Sequence, residues 1–142
     1  VADVTKPKAY WQRGWLSQHD RLLAEMHAMP GRVPLIVSGD VHACGAARIA
    51  RMGEMDLSGN PVITMLPGTL GTGGGFHDDA IHPAHLDVND MWGLVGANGF
   101  MVADFYRDRI ECAFYTWNPA TQAVQDISRL EPAFRTTLQP LV

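Results

Sequence analysis

Apolar residues fall in two rhythms along this chain. Leu22, Leu23 and Met26 recur at helical spacing, Ser17 with Asp20 three residues later makes a shortened capping box, and Pro30-Gly31 stops the run. The pattern predicts a helix over 17–29. The rest of the chain is written in short β-branched and apolar blocks. Residues 33–38 read as a central strand. Residues 46–52 and 62–66 read as a strand pair joined by the polar stretch 53–60. A second hairpin is expected from 100–105 and 110–117 across 106–109, with a turn at Asn118-Pro119 and a short helix within 126–138. Residues 1–10 read as loose, and no repeat or low-complexity tract interrupts the pattern.

The chemistry concentrates where the first apolar block ends. After Pro34-Leu35-Ile36-Val37 come Ser38-Gly39-Asp40-Val41-His42, a turn followed by two side chains able to bind a metal. In open α/β sheets, ligands bind beyond the carboxyl ends of strands. If 40–42 stay extended, Asp40 and His42 project to the same side of the backbone. A carboxylate and an imidazole suit zinc, manganese or iron. The plainer alternative makes Asp40 a turn former and His42 its bystander.

A second candidate region is 67–96. Gly71, Gly73, Gly74 and Gly75 allow a backbone to approach a ligand closely and to present amides to a phosphate, although no P-loop ending follows. A plain surface loop is the alternative. Three His and three Asp within 77–87 could hold a further metal, with His82 and His85 suitably spaced, or form a polar lid in which His77 or His85 touches substrate. Cys44 reads as a packed apolar group more readily than as a metal neighbour. Arg48 could meet a phosphate or simply face solvent. Asn89 and Asn98 could orient a phosphate or hold turns. Trp11, Trp15, Trp92 and Trp117 read as packing residues before cleft residues.

The ordered set resembles the C-terminal part of metallophosphoesterases of the alkaline phosphatase D (PhoD-like) type. It comprises the stretch 11–23, Ser38-Gly39-Asp40-Val41-His42, the Pro67-to-Gly74 run and Asn98-Gly99-Phe100. The resemblance implies an α/β fold, the C-terminal half of a calcineurin-like αββα sandwich that is mostly β with flanking helices. It also implies a site for two divalent or trivalent metal ions (Zn, Mn, Fe or Ca), His42 as the retained metal-binding His, and Asp40 where the wider superfamily usually has His. Gly71, Gly73, Gly74 and His77 would then border a phosphate ester substrate. The family's upstream metal motifs have no counterpart in these 142 residues. The chain therefore reads as one C-terminal portion, 1–142, of a phosphodiesterase or phosphatase, inactive alone and completed by a missing N-terminal half or partner chain. An extracytoplasmic location follows from the resemblance alone. The competing class is a noncatalytic interaction or scaffold domain with a degenerate metal site.

Composition trims these readings. With 46% hydrophobic and 18% charged residues the chain is globular and somewhat poor in charge, as expected if part of its surface meets other protein. A fragment of this kind would form a homodimer or aggregate through its exposed apolar edge. A net charge of −4 offers no basic patch to neutralise nucleic-acid phosphates. Two cysteines make no disulfide framework, and no run is long and apolar enough to span a membrane.

Overall fold

Helix α1 (Arg13–His27) opens the part of the chain that the computed structural model describes, residues 13–72 and 85–141. It begins four residues before the expected start, so Ser17 lies inside the helix rather than at its N-terminal end. Its end is closed from outside. The Asn60 side-chain amide donates to the carbonyls of His27 and Met29, at 3.0 and 3.1 Å, and the His27 ring returns a hydrogen bond from Nδ1 to the Asn60 carbonyl at 3.0 Å. Carbonyls that a helix terminus leaves open are thus satisfied by a residue entering the next sheet.

The strands form two sheets. In the first, β1 (Leu35–Val37) pairs in parallel with β4 (Val62–Pro67), and β4 pairs antiparallel with β2 (Cys44–Met52). β2 carries β5 (Leu86–Val95) along its other edge, and short β3 (Met55–Asp56) folds back on its end. In the second, β6 (Asn98–Phe105), β7 (Ile110–Trp117) and β8 (Phe134–Leu138) form an antiparallel meander. The domain is therefore a small α/β unit that is mostly β-sheet.

Alternation along β1 and β4 explains the layering. Leu35, Ile63 and Met65 point to one face, where Cys44, Ala46, Cys112, Phe114 and Leu138 join the two sheets. Ile36 and Val62 point to the other, where Leu23 of α1 meets Ile49, Met52 and Leu57. Three layers result: helix, five-stranded sheet, three-stranded sheet. The sheet-to-sheet core is aromatic, with Trp92 stacked on Phe134 at 5.3 Å and edge-on to Phe114 at 5.2 Å.

The two expected strand pairs form, β2 with β4 and β6 with β7. Three expectations do not hold. The strand of 33–38 is not central: it shrinks to three residues and pairs only with β4 among the described residues. The helix expected in 126–138 is a 3₁₀ turn, Val124–Arg129, in which the Asp126 carboxylate accepts from the Ala123 amide at 3.0 Å; strand β8 follows it. The loop expected over 67–96 ends in β5, ten residues of strand.

Leu23 tests the helix-to-sheet contact. It is fully buried, whereas its neighbour Leu22 is half exposed. Leu23→Ala is expected to lower unfolding free energy by about 2–5 kcal/mol. Leu22→Ala should stay within about 0.5 kcal/mol of wild type in the same urea titration.

Candidate functional site

β1 and β4 run in parallel with Val37 opposite Met65, and the Ser38 amide extends the pairing to the Met65 carbonyl at 3.0 Å. Their carboxyl ends consequently leave the sheet side by side. One feeds Gly39-Asp40-Val41-His42 and the other feeds Pro67 to Thr72. The start of β2 at Cys44 and the end of β5 at Val95 close the same sheet end, because Cys44 pairs with both Pro67 and Val95.

Asp40 and His42 are not extended. Both take the left-handed backbone region, φ 75° and 56°, so they do not project together as alternate strand residues would. They are the non-glycine residues of positive φ among the described residues, and neither is β-branched. Asp40 is exposed and His42 half-buried. Among the described residues no third His, Cys, Asp or Glu joins them in a group of metal-ligand spacing.

The loop after β4 is held rather than loose in its described part. The Gly99 amide and the Asn98 side-chain amide both donate to the Thr69 carbonyl, at 2.9 and 3.1 Å. Trp117 donates from Nε1 to the Leu70 carbonyl at 3.0 Å. Asn98 is buried and Trp117 ends β7, so the three-stranded sheet fixes the loop that leaves β4 at the same sheet end as the 39–42 segment leaves β1. The sequence alone leaves Asn98 to orient a phosphate or hold a turn, and makes Trp117 a packing residue before a cleft residue. The bonds join residues 29 and 47 positions apart, a separation that no local pattern encodes.

Cys44 sits at the centre of this end. It is fully buried, with Sγ 3.5 Å from the Pro67 carbonyl. A Cβ on Gly68 or Gly99 would lie 2.5 or 2.7 Å from that sulfur, so both glycines are required by close approach. Gly68 also has φ 97°, which favours glycine. Cys44 is thus a packing residue, and burial pushes its thiol up from the ordinary value. Arg48 faces solvent. Gly71 is exposed beyond the pinned turn, while Gly73, Gly74, His77 and His82 lie outside the described residues.

His85 is brought to an unexpected place. It immediately precedes β5, whose first residue pairs with Met52 at the far end of β2. There it meets α1: His85 Nε2 lies 3.3 Å and His19 Nδ1 3.2 Å from the same carboxylate oxygen of Asp20. The three offer ligand atoms within 4.8 Å of one another and are all half-buried. Eight residue-to-residue steps along β2 separate this end from Cys44, about 26 Å at roughly 3.3 Å per step. The cluster and the Asp40–His42 loop cannot share an ion.

Burial raises the thiols of both Cys44 and Cys112. The folded chain therefore keeps these protons at pH values where the unfolded chain loses them. Their contribution to stability is whole below the unfolded thiol pKa, about 8.5, and declines as pH rises above it. Thermal melts should show an alkaline loss of stability that shrinks in Cys112→Ala. At pH 8 a thiol reagent should label the native chain at least about ten-fold more slowly than the urea-unfolded chain.

Set against family models, curated proteins and solved structures, the chain matches none.

Proposed function

We propose that this chain is the C-terminal portion of a PhoD-like metallophosphoesterase, a metal-dependent phosphoric ester hydrolase of calcineurin-like architecture. The observation that carries the reading is the shared exit of β1 and β4. It sets Asp40 and His42 beside the Pro67–Thr72 turn at the carboxyl end of a parallel strand pair. The three layers found here would be the α, β and β of an αββα sandwich.

The residues fit part of a metal site. Asp40 and His42 bring one exposed carboxylate and one half-buried imidazole, which suits the last two ligands of a larger set. Bound there, two metal ions would polarise a phosphoryl oxygen and lower the pKa of a water for in-line attack. The chain's own contribution is positioning. His42 would hold one ion through an imidazole nitrogen, and Asp40 would bind the second or orient a neighbouring ligand. The turn pinned by Asn98 and Trp117 would offer backbone amides to the ester, continued by Gly71, Gly73, Gly74 and His77. The remaining ligands would come from an N-terminal half or a partner chain. The outer edge of β1, unpaired among the described residues and carrying half-exposed Val37, offers a place to join it.

A noncatalytic interaction module with a degenerate metal site is the second reading. It is favoured by the lack of a third grouped ligand around Asp40 and His42 among the described residues.

The two readings part on activity. The 142-residue chain alone, supplied with zinc, manganese, iron or calcium, is expected not to hydrolyse p-nitrophenyl phosphate or bis-p-nitrophenyl phosphate. The natural polypeptide or complex containing it, purified by a tag on this chain, is expected to do so with a requirement for metal. His42→Ala should lower that rate by more than about 100-fold, beyond the loss typical of groups that merely support a ligand. Metal-dependent turnover by the isolated chain would overturn its incompleteness. An inactive natural assembly, or one indifferent to His42→Ala, would leave the interaction module as the function.

A further inference from the structure

We infer that His19, Asp20 and His85 form a divalent-cation site of zinc type at the end of the sheet remote from Asp40 and His42. It is independent of the proposed hydrolytic centre. The donor set comprises two imidazoles and a carboxylate, the mixture that zinc and cobalt accept in tetrahedral sites. Its dimensions suit a tetrahedral metal as well as a hydrogen-bonded group. Metal bonds of about 2.0 Å at tetrahedral angles separate neighbouring ligand atoms by about 3.3 Å. The two nitrogen-to-oxygen distances here are 3.2 and 3.3 Å.

Convergence is the second argument. Adjacent residues on a helix diverge by about 100° around its axis, so His19 and Asp20 would ordinarily point apart. Here both side chains turn to one point, and His85 reaches it from another segment 65 positions beyond Asp20, its ring edge-on to His19. The backbone beneath is firm. Leu23, three residues after Asp20, is fully buried, and the His85 carbonyl accepts from the Gly53 amide at 2.6 Å before β5 begins. Such support fixes ligands before the ion arrives. With side-chain exposures of 26%, 34% and 18% the group remains open to solvent, leaving room for a water as fourth ligand. The ion would tie α1 to the β2–β5 end of the sheet.

Cobalt(II) gives the direct readout, because a four-coordinate ion shows strong visible bands. The full chain is expected to bind one equivalent at this site with those bands, to give it up to zinc, and to melt at a higher temperature when loaded. His19→Ala, His85→Ala and the nearly isosteric Asp20→Asn should each lose the bands or weaken binding at least ten-fold. His42→Ala should retain them. If His85→Ala fails to fold without metal, Asp20→Asn carries the test. Absence of the bands in the wild-type chain, or their survival in all three variants, would overturn the site. Their loss in His42→Ala alone would transfer the metal to the other end and overturn it equally.

Discussion

The pairing of β2 on both of its edges is the constraint on which the other elements depend. β4 and β5 both take their register from it, and its two faces supply Cys44 and Ala46 to one hydrophobic cluster and Ile49 and Met52 to the other. A strand with both edges hydrogen-bonded and both faces covered has no freedom to slip, because a one-residue shift would exchange its faces. β1 inherits its position at second hand, through β4. The Asp40–His42 loop is thus placed by the residues of β4 as much as by its own sequence.

The small residues of β2 are part of the same constraint. A Cβ on Gly45 would come 2.9 Å from the Leu94 side chain, so β5 approaches this strand more closely than a larger residue would permit. Cys44, one residue earlier, occupies the gap that Gly68 and Gly99 leave open, joining the end of β4 to the start of β6. The turn after β4 can be pinned by Asn98 and Trp117 because the second sheet is drawn in this far. The candidate site therefore depends on the absence of side chains at two glycines and on one sulfur of the right size.

What the sequence made legible follows from how locally each element is specified. β4, β6 and β7 carry alternating or continuous apolar runs with turn residues at their ends, and these were readable. β5 was not. Its register on β2 shifts at three places, so Leu86 and Val88 pack toward α1 while Trp92 packs into the sheet-to-sheet core. Bulges that change face midway destroy the period of two by which a strand is recognised, and Asp87, Asn89 and Asp90 add a polar surface. The central place assigned to β1 rested on its apolar content. Its order in the sheet is a tertiary property that content does not carry. The meeting of His85 with α1 was hidden for the same reason, being a consequence of the register that sets Leu86 against Met52.

The left-handed backbone at Asp40 and His42 bears on why those residues stand there. A non-glycine residue in that region costs on the order of 1 kcal/mol or more. Asp tolerates it better than most, since its short side chain can bond locally, and His is likewise among the residues enriched there. The chain has a glycine immediately before Asp40, so the turn is not one that excludes glycine by composition. Glycine at 40 and 42 would make the same turn with less strain. The strain at these two positions has to be offset by the pairing that holds the ends of β1 and β2 in the sheet.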